Sequence, residues 1–154
     1  SLAHEWFHAF DHYMGAKAFR HTGPFQFASS AWLDGFLQKP HPLNHRLADC
    51  LKAILLTEDG TAPSPMFEAS QRADGRLKAL YYARPEELCA RAFEAFVEDT
   101  QPDNRFLVEG TVYSEEAQTG LYPQGVQRQK INEAFGQYFV SLGEALYRKQ
   151  AKAG

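Results

Sequence analysis

The stretch His4-Glu5-Trp6-Phe7-His8, set inside the run Leu2-Ala-His-Glu-Trp-Phe-His-Ala-Phe-Asp-His-Tyr13, decides how this chain reads. Two histidines four residues apart on a helix share a face, one turn apart. Their imidazole nitrogens can then meet one Zn²⁺ at about 2.0–2.1 Å. Glu5, beside the first histidine, can reach a water on such an ion and take its proton as it attacks a carbonyl, zinc having lowered the water's pKa toward ~7. The pattern needs a helix, and Leu2, Trp6, Phe7, Phe10, Tyr13 and Met14 recur at helical spacing. The spacing predicts a helix over residues 2–21, closed by His-Thr-Gly-Pro at 21–24.

A catalytic zinc takes three protein ligands and leaves a fourth position for water. Asp11, three residues after His8, lies on the same face. A helix struggles to present three successive turns to one ion, so Asp11 reads either as a group that orients a ligand histidine through its other ring nitrogen or as a surface carboxylate. His12 falls further round and is not expected to ligate. The better third ligand lies in a helix predicted over residues 85–99, which Pro85 opens and whose inward face carries Leu88, Ala92, Phe93 and Phe96. Glu87 and Glu94 are seven apart there, about two turns, and can share a face. Glu87 reads equally as a ligand or as a carboxylate balancing the helix dipole. Glu86, Glu94 and Glu98 read as solvated or as supports to the ligands. Tyr81 and Tyr82, just before this helix, are candidates to donate a hydrogen bond to an oxyanion, or else aromatic anchors of the core.

The remaining elements are mostly helical. Residues 25–39 form a short helix or an aromatic-rich irregular segment around Phe25, Phe27, Trp32 and Phe36, and Lys39-Pro-His-Pro42 breaks the chain. A helix is expected over 43–57, through Leu43, Leu47, Leu51, Ile54 and Leu55, and another over 66–79 that Asp74-Gly75 could end early. Phe106-Leu-Val108 is strand-like, and residues 114–125 are polar with Gly and Pro. A last helix spans about 124–150 and turns Val126, Ile131, Phe135, Tyr138, Phe139, Leu142 and Leu146 inward. The expected fold is mainly α, one helical domain over 1–154 with at most a short strand or hairpin. Because the metal-binding pattern opens the chain, the expectation is a piece excised from a larger α+β polypeptide.

An apolar fraction of 44% and an aromatic fraction of 14% fit a packed core, not a disordered chain. Sixteen Lys and Arg against nineteen Asp and Glu leave a net charge of −3. Without a basic stripe in the sequence, nucleic acid is not the first-choice partner. Cys50 and Cys89 lack CxxC neighbours and read as reduced core thiols of a cytosol-like compartment. No apolar run approaches membrane-spanning length.

The run at 2–13, together with Glu87-Leu-Cys-Ala-Arg-Ala-Phe-Glu-Ala-Phe-Val97, Asn104-Arg-Phe-Leu-Val108, Tyr122-Pro-Gln-Gly125 and Ile131-Asn-Glu-Ala-Phe135, resembles the first type of large polyvalent protein-associated domain. Such domains occur in very long proteins of phages, prophages and conjugative elements. The HExxH helix and Glu87-Leu-Cys-Ala-Arg-Ala-Phe93 also resemble anthrax lethal factor-like zincins. That resemblance implies His4, His8 and Glu87 as zinc ligands, Glu5 as general base, and Tyr81 or Tyr82 as an assisting tyrosine. Arg91 replaces a second glutamate of that motif. The implied activity is peptide-bond hydrolysis in a bacterial host cytoplasm, on a peptide or protein substrate, beside other domains of the parent polypeptide. The competing reading is a non-catalytic helical interaction module whose metal is structural or lost.

Overall fold

A computed structural model of the chain describes residues 1–24 and 26–153; Phe25, one of the aromatic positions above, lies outside them. Among the described residues seven helices follow one another: α1 (Leu2–Ala18), α2 (Ala28–Leu33), α3 (Pro42–Leu55), α4 (Pro65–Leu77), α5 (Pro85–Thr100), α6 (Glu115–Gln118) and α7 (Gly125–Ala153). The architecture is mainly helical, as the patterning requires. Among the described residues extended pairing is confined to two isolated antiparallel bridges, Phe19 with Gln38 and Leu56 with Pro63. None of these helices is long and apolar enough to cross a membrane.

The helix ends follow local chemistry. Prolines sit in the first turns of α3, α4 and α5, where the missing N–H would have had no helical partner. Ser64 caps α4 and Ser114 caps α6 through their hydroxyls. α1 stops three residues short of the predicted boundary, because Phe19 turns extended and the chain pairs with residues 37–39. Arg20 donates its N–H to Leu37 O at 2.8 Å, and Lys39 donates to Ala18 O at 2.8 Å.

Gly75 does not end α4. The helix runs to Leu77 and stops at Lys78, which takes the left-handed conformation at φ 52°. Asp74 explains the connection that follows. Its buried carboxylate accepts the backbone N–H groups of Tyr81 (3.1 Å), Tyr82 (2.8 Å) and Ala83 (2.9 Å). The strand expected at Phe106–Val108 is also corrected. That segment is a turn, with Phe106 exposed, Val108 buried and the Leu107 carbonyl accepting the Ala3 N–H at 3.1 Å.

The core sits where α1, α5 and α7 meet. Phe7 stacks on Phe93 with centroids 5.0 Å apart, and both meet Phe135 edge-on at 5.8 and 5.7 Å. α3 supplies Leu47, Leu51, Ile54 and Leu55 beside it, and α7 packs on α3. Cys50 and Cys89 are buried free thiols, pushed to higher pKa by that burial. Val126 and Leu146 were expected inward but are exposed. The 29 residues of α7 span about 43 Å against about 21 Å for the 14 residues of α3, so the C-terminal end of α7, with Leu146, overhangs its partner, whereas Val126 sits beside the last turn of α3 on a face turned to solvent.

Gly15 marks the closest approach. A Cβ there would lie 2.0 Å from the Gln26 carbonyl oxygen. Helix propensity alone makes Gly→Ala stabilising by about 1 kcal/mol. The backbone contact reverses the sign: Gly15→Ala is expected to lower stability by roughly 1–3 kcal/mol. Urea unfolding checks it, and an unchanged or raised midpoint would contradict this packing.

Candidate metal centre

α1 and α5 pack face to face and bring the predicted residues together. His4 and His8 stand one turn apart on α1, and Glu87 faces them from the first turn of α5. His8 Nε2 lies 3.0 Å from His4 Nε2 and 3.0 Å from Glu87 Oε1, and His4 Nε2 lies 3.1 Å from Glu87 Oε2. The three donors can each offer one ligand atom, all within 4.8 Å of one another, and the three side chains are only partly buried. Bonds of about 2.0–2.1 Å in a tetrahedron separate neighbouring ligands by roughly 3.3 Å. The contacts of 3.0–3.1 Å, two of them to different oxygens of Glu87, are close to that spacing, and one atom from each residue lies within 4.8 Å of the others, a donor set that two imidazoles and a carboxylate could close around one such ion.

The network continues outward. His4 Nδ1 lies 2.5 Å from Glu94 Oε1. The other Glu94 oxygen accepts the Ser1 hydroxyl at 3.0 Å and the Tyr122 hydroxyl at 3.4 Å. A carboxylate on the far nitrogen fixes the ring and aims Nε2 at the cluster. Ser1 also caps α1 by accepting the His4 N–H at 3.2 Å, so one hydroxyl both starts the helix and ties it to α5. The histidine between two carboxylates is raised to about 9 by its hydrogen bonds to Glu87 and Glu94. Burial would raise Glu87, but hydrogen bonds from His4 and His8 outweigh it and hold that carboxylate well below its usual range. The buried Nδ1 of His8 has no hydrogen-bond partner among the described residues.

The remaining candidates take different places. Glu5 and Tyr81 are exposed on the wall of a cleft of about 390 Å³ that also contains His4, Glu87, Tyr82 and Tyr122. Burial and the neighbouring Glu87 raise the Tyr81 phenol above its ordinary pKa. The ring of Tyr82 lies under the Arg91 guanidinium, 5.4 Å from centroid to Cζ. His12 points away, its ring 3.1 Å from the Pro24 carbonyl.

Asp11 is buried and directs both oxygens to Ser29, accepting its N–H at 2.9 Å and its hydroxyl at 2.6 Å. It thus supplies the N-terminal cap that Phe27 cannot give α2, and its hydrogen bonds go to that helix end, not to His8.

Three participants escape a linear reading. Asp74 fixes the backbone of both tyrosines. Arg91 is buried and donates to Leu121 O (2.8 Å), Ser70 Oγ (2.8 Å) and Tyr82 O (2.7 Å). Arg128 grips Asp99 with two bonds of 2.8 Å and reaches Thr111 Oγ1 at 2.9 Å, pinning the loop before Tyr122. A carboxylate seven residues before a tyrosine pair, or a lone arginine in an apolar helix, carries no spacing signature.

With α5, α6 and the core of α7 in place, comparison with known families becomes informative. Residues 73–146 match the family model of large polyvalent protein-associated domain 1. The match covers just under half of the chain, from the end of α4 into α7. It therefore includes Glu87, Arg91, Glu94 and Tyr122 but not the His4–His8 turn. No curated protein and no solved structure matches the chain.

Burial raises Asp11 to about 6, against hydrogen bonds from Ser29 that act the other way. Its folded pKa thus lies above the unfolded value of about 3.9. The folded state then holds the extra proton between roughly pH 4 and 6, and stability falls as pH rises through that window. The loss is expected to be about 3 kcal/mol. In Asp11→Asn, which keeps an acceptor for the Ser29 N–H, this component of the pH profile should vanish; a profile identical to wild type would refute the assignment.

Proposed function

We propose that this chain is a zinc-dependent peptidase-like hydrolase domain of a polyvalent phage or mobile-element protein. The observation that carries the reading is the cluster of His4 Nε2, His8 Nε2 and the Glu87 carboxylate, whose two oxygens lie 3.1 and 3.0 Å from the two nitrogens, with His4 and Glu87 lining a cleft. Two nitrogens and one carboxylate oxygen form a donor set suited to catalytic zinc. A zinc ion held there would polarise a carbonyl and lower the pKa of water toward ~7.

The chain's own residues supply the rest. Glu94 holds the His4 ring through Nδ1, leaving Nε2 free to ligate. Glu5, exposed beside His4, accepts a proton from water in the cleft and passes it to the leaving amine. Of the two tyrosines, Tyr81 is the better hydrogen-bond donor to a developing oxyanion, since Tyr82 is engaged by Arg91. Its raised pKa keeps the phenol protonated for that role.

Metal analysis of purified protein, with calorimetric titration of Zn²⁺ at neutral pH, tests the reading. One equivalent of zinc is expected in wild type, with binding lost in His4→Ala, His8→Ala and Glu87→Ala. Glu94→Ala should bind zinc about 10–100-fold more weakly. Absence of zinc binding by folded wild type would refute the metal centre. If zinc binds but the loaded protein cleaves no unfolded protein beyond the rate of Glu5→Gln, the site is structural and the hydrolase reading fails.

A further inference from the structure

We infer that the groove between the start of α3 and the end of α7 binds the phosphate backbone of a single-stranded nucleic acid. This surface is separate from the metal centre and independent of it. The groove, of about 590 Å³, is lined by His41 and Arg46 from α3 and by Glu144, Arg148, Lys149 and Lys152 from α7. Four permanent cations face one carboxylate there, in a chain whose net charge is −3.

Ordinary pairing does not account for them. Higher on the same helix, Arg128 pairs with Asp99 at 2.8 Å and Lys130 with Glu58 at 2.7 Å. Among the described residues Arg46, Arg148, Lys149 and Lys152 make no ion pair. Arg46 reaches only the Gln137 side-chain oxygen, at 3.4 Å. The negative end of the α7 dipole, at Ala153, carries only about half a charge and offsets a small part of the four cations. Like charges converging in water repel, and a polyanion relieves that repulsion while releasing its counterions.

The shape narrows the ligand. Arg148 and Lys152 stand one turn apart on one face, about 6 Å along the axis, and form a row rather than a point. A concave row suits a linear strand better than the flat face of a bilayer. Tyr147, 74% exposed, lies one residue before Arg148 and about 100° round α7 from it, outside the groove itself, and offers a ring on which an unpaired base can stack beside the bound backbone. Bases are free to do so in a single strand and are enclosed in a duplex.

Fluorescence anisotropy of the full chain with a labelled 20-nucleotide single strand tests this. Affinity should fall with salt at a slope near −3 in log–log form, as four phosphate contacts at about 0.7 each require. Arg148→Gln/Lys152→Gln should lower that slope by about 1.4 and weaken binding about tenfold or more near 0.1 M salt. Arg72→Gln/Arg76→Gln, on exposed positions of α4, removes the same charge and should leave binding within about twofold. The inference is overturned if the strand does not bind at low salt, if both double variants lose affinity equally, or if phosphatidylserine vesicles bind through Arg148 and Lys152 while the strand does not. Zinc titration of the same variants should be unaltered, so failure here leaves the metal centre standing.

Discussion

Two imidazoles on one helix and a carboxylate on another stand within about 3 Å of each other, and that contact tolerates almost no slippage. A shift of one residue along either helix moves a side chain about 1.5 Å along the axis and 100° around it. What holds the register is the aromatic contact one residue away on each side. Phe7 precedes His8, Phe93 precedes Glu94, and the two rings stack at 5.0 Å with Phe135 closing the third side. The same pair of helices thus turns one face into a dry aromatic core and the adjoining face into a polar cluster. Burial of large aromatic surface, rather than the ionic contacts, supplies the stability that keeps the cluster assembled.

The polar cluster is expensive to build, because several charged groups are drawn out of water at once. The structure meets that cost by giving most of them several partners. Glu94 meets Ser1, His4 and Tyr122; Arg91 meets two carbonyls and a hydroxyl; Asp74 gathers three N–H groups. Asp11 and Asp74 are structural in the same sense. Each carboxylate replaces a backbone acceptor where a chain segment leaves regular helix, and each sits at the foot of an element that borders the centre. The cleft wall carrying Tyr81 and Tyr82 is therefore as firmly determined as the helices, although it is irregular backbone.

Periodicity made the helices legible, since an amphipathic stripe at 3.6 spacing identifies both the element and its buried face. It also carried the pairing of His4 with His8, which needs only one helix. Spacing alone left Glu87 open, because a glutamate near a helix start serves the dipole equally well; the resemblance to zincins singled it out, and the packing of α1 on α5 brings it beside His4 and His8. The inward reading of Leu146 failed for a related reason: a pattern says which face is apolar, not how far the partner helix extends beneath it. Phe106–Val108 reads as a strand by composition but pairs with no strand among the described residues, and one of its carbonyls serves the first turn of α1 instead. The basic groove was invisible for the same reason, because Arg46 and Arg148 are separated by a hundred residues and meet only through antiparallel packing of α3 on α7.

The electrostatics of the centre bear on what it can hold. Glu87 and Glu94 flank His4 from both ring nitrogens, and together they lift its pKa to about 9. That shift measures how strongly the surroundings favour positive charge at this point. The preference belongs to the carboxylates and not to the proton. A divalent cation between His4, His8 and Glu87 would draw on the same field, with Glu94 retaining its bond to the far side of the ring. Arg91, buried and drawn toward its charged form by Glu87 and Glu94, sets a positive charge beside the cluster and limits how negative the pocket becomes. An arginine at position 91, one turn after Glu87, is therefore a different electrostatic solution from a second glutamate there.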